Sequence, residues 1–316
     1  MSEDAGTPIE PMEPGQSSEA LFREIEEDRQ RGAAELAGLA VDAVAMAAIA
    51  LAHYSEESRG TKLRDLLRRV RDLRPNMAPL TNWCVVFAEA IADFRLGSAS
   101  WIEAVTEART RTRRARDEIQ HKLREGARPL LSGYGSILTL SHSSTVLDLI
   151  TEASPASARI VVCESRPDLE GRSTAEHLLG RGREVRLITE AEVALALAET
   201  EAVLIGADTI CADLAAVNKT GSRIVALAAA DLGRPVIVAA DTCKINPQVN
   251  SDQLDLERGD PAAVWDKHPV LCSNVTFEPV PSRLIRTYLT EDGALAPHEL
   301  QPEVARWARR YAAVGL

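Results

Sequence analysis

Residues 206–244 read GADTICADLAAVNKTGSRIVALAAADLGRPVIVAADTCK and carry the clearest fold signal in the chain. They predict the end of a buried strand, a polar loop, a long Ala-rich helix and a second buried strand. The apolar run that leads into this segment stops at Asp208, which places a carboxylate at the carboxyl end of a strand. Ligands of open α/β sheets bind at that edge, so Asp208 is a candidate site residue.

The polar loop before the helix carries a candidate anion-binding group. Asn218 and Lys219 begin ten residues after Asp208, and Gly221 stands at the predicted start of the helix. Helix N-termini attract anions, and a nearby ammonium group strengthens the attraction. A carboxylate facing such a subsite points to a polyhydroxylated, phosphorylated ligand.

The rest of the chain divides into two halves with different periodicity. Apolar residues recur at helical spacing from about Ser18 to Glu125, whereas after Gly126 short apolar runs alternate with helical segments. Alternating strands and helices indicate a parallel sheet covered on both faces. We therefore predict an α/β protein with an all-helical domain at 19–125 and a parallel-sheet domain at 126–316. The acidic, Pro-rich residues 1–18 are predicted to be a disordered tail.

Two further strand ends carry polar groups. The first predicted strand, 136–140, is followed by Ser141, Ser143 and Ser144, one of which should cap the next helix while another could bind a ligand. The second, 158–164, ends in Glu164 and continues to Arg166 and Arg172. Arginine suits phosphate or carboxylate, so this group is interpreted as ligand-binding, with a surface ion-pair network as the alternative.

Composition excludes several classes of function. The net charge of −11 argues against a nucleic-acid partner. The basic stretch 109–116 lies on a helical pattern and is interpreted as a solvated helix face. Five cysteines without CxxC spacing predict buried, reduced thiols in a cytoplasmic protein. The histidines show no metal-binding pair, so no metal site is predicted.

Membrane and cofactor signals are weak as well. The first residues are acidic rather than basic and then apolar, which does not fit a signal peptide. The apolar run 36–52 contains Asp42 and is short for a bilayer span, so we predict a helix buried between other helices and no membrane partner. No GxGxxG follows the first strand, which argues against a nicotinamide or flavin cofactor.

Several short motifs together resemble a known family. They are Arg31-Gly32-Ala33 opening an Ala-rich helix, Arg74-Pro75 followed by Asn82, ESRPDLEGR, GADTI…VNKTGS, VAADTCK, and FEPVPSRLI from Phe277. In this order and spacing they resemble the regulatory subunits of translation initiation factor 2B, methylthioribose-1-phosphate isomerase and archaeal ribose-1,5-bisphosphate isomerase. The resemblance implies a helical domain joined to a Rossmann-like ligand-binding domain, and a homodimer formed through the C-terminal domain.

The resemblance also implies a chemistry. The isomerases convert an aldose 1-phosphate to the ketose without a cofactor, using an aspartate that matches Asp208 and a cysteine that aligns with Ser141. Serine departs from the family pattern, because a hydroxyl is a far weaker acid than a thiol. The residues expected to hold phosphates and hydroxyls are Arg31, Gly32, Ala33, Arg74, Glu164, Arg166, Arg172, Asn218 and Lys219.

Two interpretations of function follow. The first is a sugar-phosphate-binding protein that isomerises a ribose phosphate through Asp208, or descends from an enzyme that did. The second is a regulatory subunit whose pocket senses a sugar phosphate or nucleotide, which the missing cysteine favours. A purely structural subunit fits less well, because so many polar residues remain at the strand ends.

Overall fold

The structure is a computed structural model that describes residues 17–28, 31–95 and 100–316. The predicted disordered tail, 1–18, lies outside the described residues except at its end. There Ser17 caps the first helix by accepting a hydrogen bond from the N–H of Ala20, and the helix begins at Ser18.

Helices dominate the first part of the chain and then alternate with strands. Within the described residues the α-helices are α1 (Ser18–Glu27), α2 (Ala33–Ile49), α3 (Glu56–Leu73), α4 (Ala78–Arg95), α5 (Trp101–Leu131), α6 (Ser144–Glu152), α7 (Glu170–Gly180), α8 (Val193–Ala198), α9 (Ser222–Asp231) and α10 (Gln301–Val314). The strands are β1 (Ser136–Leu140), β2 (Arg159–Cys163), β3 (Val185–Ile188), β4 (Ala202–Gly206), β5 (Thr209–Ile210), β6 (Ala216–Lys219), β7 (Val236–Ala239), β8 (Phe277–Val280), β9 (Thr287–Thr290) and β10 (Gly293–Leu295). This arrangement confirms the predicted α/β fold class and the strands predicted at 136–140, at 158–164, before Asp208 and after the Ala-rich helix.

The main sheet has the order β10-β9-β7-β4-β1-β2-β3. Its strands are parallel except for β10, which pairs antiparallel with β9. The chain builds β2 and β3 on one side of β1 and then crosses to build β4, β7 and β9 on the other. The strand order therefore reverses between β1 and β4. Open α/β sheets bind ligands outside the carboxyl ends of the strands at such a point.

A second, smaller sheet lies beyond the carboxyl end of β4. Strands β5, β6 and β8 pair antiparallel, with Asn218 opposite Glu278 and Lys219 opposite Phe277. The segment interpreted as a polar loop before α9 is thus a strand hairpin, and that part of the prediction is wrong. Polar residues form a strand here because β8, far along the chain, supplies the pairing partner for β6.

Both faces of the main sheet are buried, as its continuous apolar strands require. Leu138 and Val161 belong to the core that continues into the N-terminal helices. Their neighbours Ile137 and Ile160 belong to a separate core on the opposite face, which includes Leu123 of α5. Successive side chains of a strand point to opposite faces, and this alternation divides the apolar residues between the two cores.

Helix α2 is the central helix of the N-terminal part and packs against α1, α3, α4 and α5. With the turn that follows, it forms a stretch Ala33–His53 of 21 residues and hydropathy 1.9, which among the described residues is the single segment long and apolar enough to cross a membrane. Its packing between four helices is that of a core helix. The side chain of Asp42 projects from it towards α5 and is not left unpaired.

The basic face of α5 is not simply solvated, which corrects the sequence interpretation. Arg109 and Arg113 donate to the two carboxylate oxygens of Asp42 at 2.7 and 2.8 Å. Arg116 donates to the carbonyl of Ala34 at 2.6 Å. These three arginines join α5 to α2, because their spacing of three and four residues places them on one side of the helix.

Helix α5 also connects the two halves of the chain. It runs on past the predicted boundary at 125 to Leu131, packing against α2 and α4 near its start and against α6, β9 and β10 near its end. The C-terminal helix α10 returns to pack against α4. The division at 125 stays a prediction about domains, whereas the change from helices to strands comes at Ser136.

Candidate functional site

A cavity of about 550 Å³ lies where the N-terminal helices meet the carboxyl edge of the sheet. The described residues that line it come from both halves of the chain: Arg31, Gly32, Arg74, Met77, Leu140, Ser141, His142, Ser143, Asp168, Glu170, Asp208, Asn218, Lys219, Glu257, Arg258, Gly259, Asp260, Thr276 and Phe277. It therefore gathers seven of the eleven residues that the sequence analysis singled out. Its position is the reversal point between β1 and β4.

Asp208 follows β4 and lies at the floor of this cavity, where its side chain is partly accessible. Its backbone N–H donates to the carbonyl of Val217 at 2.8 Å, which fixes it against the hairpin. Desolvation raises the pKa of the Asp208 carboxyl, although Lys244, Arg74 and Lys219 oppose the shift. A carboxyl group whose protonated form is favoured in this way can act as a proton donor.

Lys219 is buried at the end of β6, and protein carboxylates already surround its ammonium group. Nζ lies 2.6 Å from Asp168 Oδ2 and 2.6 Å from Glu170 Oε1. Burial alone lowers the pKa of Lys219, but these two hydrogen bonds outweigh it and the net shift is upward. The ammonium group is therefore charged and shared between two acids. Its neighbour Asn218 donates to Ser222 Oγ at 2.8 Å.

The start of α9 is not open to a ligand either. Gly221 adopts a φ of 107° at the N-cap, which only glycine accommodates without strain, so the predicted helix start is confirmed. The N–H groups of Gly221 and Arg223 both donate to Glu278 Oε1, at 2.7 and 2.9 Å. A carboxylate from β8 thus occupies the anion position that the sequence assigned to a phosphate.

Ser141 is the first residue after β1 and has a φ of 66°. Its carbonyl accepts from Thr174 Oγ1 at 2.9 Å, and its own hydroxyl lies 3.5 Å from Glu170 Oε2. The serine that caps α6 is Ser143, whose Oγ accepts from the N–H of Val146. Ser141 is consequently free to face the cavity beside an acid.

The opposite end of the cavity is formed by the N-terminal half. Arg31 is held by Glu24 and Asp28 at 2.7 and 2.8 Å, and Gly32 is the N-cap residue of α2 and makes no side-chain hydrogen bond. Arg74 is buried and pairs with Glu257 at 3.2 Å. Ala33, the first residue of α2, is buried and does not line the cavity.

Three predicted ligand-binding residues do not line the cavity. Glu164 and Arg172 pair with each other at 2.9 Å, and the exposed Arg166 donates to the carbonyl of Val264 at 3.4 Å. The ion-pair alternative describes Glu164 and Arg172, which match each other's charge, whereas the contact of Arg166 is to a backbone carbonyl. The same loop instead contributes Asp168 and Glu170, and the latter carried a usable signal as an acid in the first turn of a helix.

Other residues were missed for lack of any local pattern. Glu257, Arg258 and Asp260 reach the cavity from an irregular segment, and nothing in their sequence marks them. Lys244, in the VAADTCK motif, is buried and acts electrostatically on both Asp208 and Asp241. It lines a neighbouring cavity of about 480 Å³ between α5, α6 and the end of β7.

The cysteines stand outside this chemistry. All five thiols are free, and all except Cys272 are buried, as predicted. Burial raises the pKa of Cys163 and of Cys211 to about 12, so both thiols are protonated at neutral pH. Among the described residues no group of three or more His, Cys, Asp or Glu side chains could hold a metal ion.

Comparison with known proteins agrees with this architecture. A translation initiation factor eIF-2B subunit 2-like protein of Pyrococcus abyssi is 30% identical over 280 residues, covering 88% of this chain and 95% of the relative. A ribose 1,5-bisphosphate isomerase of Haloferax volcanii is 28% identical over 288 residues, covering 88% of each chain. The crystal structure of translation initiation factor eIF-2B from Pyrococcus horikoshii superposes with a TM-score of 0.74 at 29% identity, covering 89% of this chain and 97% of that one.

The family itself is also established by sequence. The profile of the Initiation factor 2 subunit family matches residues 19–297, which is nearly the whole chain after the tail. The resemblance inferred from the short motifs is thereby confirmed. The protein belongs to the Initiation factor 2 subunit family.

Proposed function

We propose that this protein binds a sugar phosphate of the ribose-phosphate type in the cavity and converts an aldose 1-phosphate to the ketose. The observation that carries the proposal is Asp208, an acid with a raised pKa in a cavity that also holds Arg31 and Arg74. Such an acid can protonate a sugar ring oxygen, while the cations bind the phosphate. Relatives named as ribose 1,5-bisphosphate isomerases support the same chemistry.

The reaction needs one acid and one base. The proton of Asp208 goes to the ring oxygen as the bond between that oxygen and C1 breaks. A base removes the proton from C2, and the electron pair of that bond forms a C1–C2 double bond. The C2 hydroxyl then returns a proton to Asp208 as the ketone forms, and the base returns its proton to C1. The net change is an isomerisation that requires no cofactor.

The base is proposed to be Glu170. A serine hydroxyl does not ionise near neutral pH, so Ser141 cannot take a proton from carbon by itself. Glu170 Oε2 lies 3.5 Å from Ser141 Oγ at the position where the resemblance implies a thiol. Ser141 then orients the C1–C2 region through its hydroxyl.

The direct experiment is to follow ketose formation from ribose 1-phosphate, methylthioribose 1-phosphate and ribose 1,5-bisphosphate with the full chain. Turnover of any one of them supports the isomerase. Thermal stabilisation by a sugar phosphate without turnover leaves the binding function and removes the catalytic one. If the protein shows no turnover and is not stabilised by any of these ligands, the proposal as a whole is contradicted.

A second candidate function is a non-catalytic subunit that senses a sugar phosphate or nucleotide. Ser141 favours it, because the family's catalytic position lacks a thiol. Ser141→Cys distinguishes the two. If the rest of the site is intact and only the thiol was lost, this variant gains isomerase activity that the unmodified protein lacks.

We also propose a cytoplasmic homodimer formed through the C-terminal domain. Apolar side chains on α8 and α9 support this proposal, since Leu195, Ile224 and Leu227 are exposed. Such a patch is typical of an interaction surface. Light scattering tests it, and a monomer at micromolar concentration would be evidence against it.

A further inference from the structure

The end of the cavity around Lys219 is negatively charged although it was expected to bind a phosphate. Lys219 carries one positive charge, and Asp168 and Glu170 carry two negative charges within hydrogen-bonding distance of it. A third carboxylate, Glu278, takes the N–H groups at the start of α9. The Lys219 ammonium group and the N-terminus of α9, which could each hold an anion at this end, are therefore both occupied by acids of the protein itself.

The opposite end keeps its capacity for a phosphate. Gly32, the N-cap residue of α2, lines this end and has no side chain that could cap the helix. Arg31 and Arg74 stand beside it, and Arg258 lines the same cavity. Arg31 and Arg74 are ion-paired, and Arg74 also donates to the carbonyls of Ile25 and Asp28. A guanidinium has five N–H donors, so each arginine keeps N–H groups that can bind a phosphate in addition.

The acids and bases that line the cavity are equal in number. Among the described lining residues, the acids are Asp168, Glu170, Asp208, Glu257 and Asp260, and the bases are Arg31, Arg74, His142, Lys219 and Arg258. Asp208 is protonated in the proposed function, so the remaining four acids match the four arginine and lysine side chains and leave no excess positive charge for two phosphates. Each phosphate group carries about −1.5 to −2 charges near pH 7. One phosphate can be matched at the arginine end, but a second one would have to displace or face the carboxylates around Lys219.

We propose that Asp168 and Glu170 make this cavity selective for pentose monophosphates and exclude pentose bisphosphates. The inference rests on the proposed sugar-phosphate function and adds the substrate class. The phosphate lies at the arginine end, and the sugar presents hydroxyl groups or another uncharged substituent to the Lys219 end. Carboxylates accept hydrogen bonds from hydroxyl groups and repel a second phosphate, so the same pair attracts one ligand and rejects the other.

This selectivity separates the chain from its relatives named as bisphosphate isomerases, with which it shares about 28% of its residues. A specificity that depends on two side chains can differ between members of one family while the fold and the acid at Asp208 stay the same. Repulsion of the wrong ligand is a common way of achieving such a difference.

The test is calorimetric titration of the full chain at pH 8 with ribose 1-phosphate, ribose 5-phosphate and ribose 1,5-bisphosphate. Of the two monophosphates, the one with the higher affinity should bind at least about tenfold more tightly than the bisphosphate. Glu170→Gln keeps the size of the side chain and removes its charge. In this variant the ratio of monophosphate affinity to bisphosphate affinity should fall by about tenfold. Asp168→Asn is a second variant, at a partly exposed position, and should shift the ratio in the same direction.

The matched control is Glu164→Gln, which removes a paired glutamate of the same loop that does not line the cavity. Its binding ratio should equal that of the unmodified protein. The selectivity is overturned, while the proposed function stands, if the unmodified protein binds the bisphosphate most tightly. It is also overturned if the affinity ratio is unchanged in both Glu170→Gln and Asp168→Asn. Binding of none of the three ligands contradicts the proposed function itself.

Discussion

The chemistry of a single carboxyl group sets what this cavity can do. Asp208 is surrounded by enough protein that desolvation outweighs three nearby cations, and the net effect is a raised pKa. In the proposed function, those cations also bind the anionic part of the ligand, while the pKa of the acid stays raised. An acid in this state delivers its proton only below its own pKa.

Asp208→Asn should therefore lose isomerase turnover by about 10²–10⁴-fold, because an amide cannot donate the required proton. Ligand binding should change only a few-fold, since the neutral amide resembles the protonated acid in shape and charge. Ketose formation and calorimetric binding measure the two effects separately. In the unmodified protein, the rate should fall as the pH rises through the elevated pKa of Asp208.

Asp213→Asn is the control for that experiment, because Asp213 lies in the β5–β6 hairpin and bonds to Ser251 away from the cavity. It should keep full turnover. Full turnover in Asp208→Asn would instead show that another group protonates the ring oxygen.

At the scale of elements, the position of α7 depends on a close contact with β2. A Cβ atom added at Gly171 would lie 1.9 Å from the carbonyl oxygen of Cys163. The helix can start there only because glycine has no side chain. This contact is what brings Asp168 and Glu170 to Lys219.

Gly171→Ala should consequently lower the free energy of unfolding by about 1–3 kcal/mol, because helix and strand must move apart. Gly180→Ala, at the other end of the same helix, has no atom within 4 Å of the added Cβ and should be nearly neutral. Denaturant unfolding compares the two. Equal stabilities would contradict the close packing of α7 on β2.

The C-terminal helix is held to the N-terminal half by a buried hydrogen-bond chain. Tyr311 donates to Asn82 Oδ1 at 2.7 Å, and Asn82 Nδ2 donates to the carbonyls of Cys243 and Ile245 at 2.7 and 2.8 Å. Helix α10, helix α4 and the segment after β7 therefore meet at one asparagine. That segment includes Lys244, which acts on Asp208.

Tyr311→Phe should lower the free energy of unfolding by about 1–3 kcal/mol, because it leaves the amide oxygen of Asn82 buried without this donor. The ring still packs against Trp307, so the loss belongs to the hydroxyl. Thermal or urea unfolding measures it. Tyr134→Phe, in the turn before β1, is a suitable control, and a similar loss in both variants would argue against a special role for the chain through Asn82.

At the scale of the whole molecule, burial of acids between the two halves gives stability a characteristic pH dependence. Desolvation raises the pKa of Asp241, and the charge of Lys244 opposes this shift. Desolvation also raises the pKa of Glu291, and the charge of Asp241 raises it further. One oxygen of Asp241 has no hydrogen-bond partner among the described residues. A folded-state pKa above the unfolded value means that the folded protein binds more protons in between.

The stabilisation from such a group is complete below the unfolded pKa and is lost as the pH rises through the folded pKa. Asp241→Asn cannot ionise, so it should be more stable than the unmodified protein at pH 8, on the order of 1 kcal/mol. The difference should shrink as the pH is lowered towards 4. Urea unfolding at several pH values measures this trend, and a difference that grows towards low pH would contradict it.

The main strands and the position of Asp208 were predictable because they depend on local sequence pattern. Continuous apolar runs identify β1, β2, β4 and β7, since a strand buried on both faces needs no polar residue. The end of such a run locates Asp208, and parallel strands bring their carboxyl ends to one edge. The sequence by itself therefore determined the fold class, the family and the acid at the sheet edge.

Contacts between distant segments decided the rest. Strand β6 forms because β8 pairs with it, and Glu278 of β8 then occupies the helix N-terminus that local reasoning left open for a phosphate. Glu164 and Asp168 lie in one loop and look alike in sequence, yet one pairs with Arg172 at the surface and the other with Lys219 in the cavity. Only the tertiary structure could assign these partners, because charge pairing depends on which side chains the folded chain brings within a few ångströms.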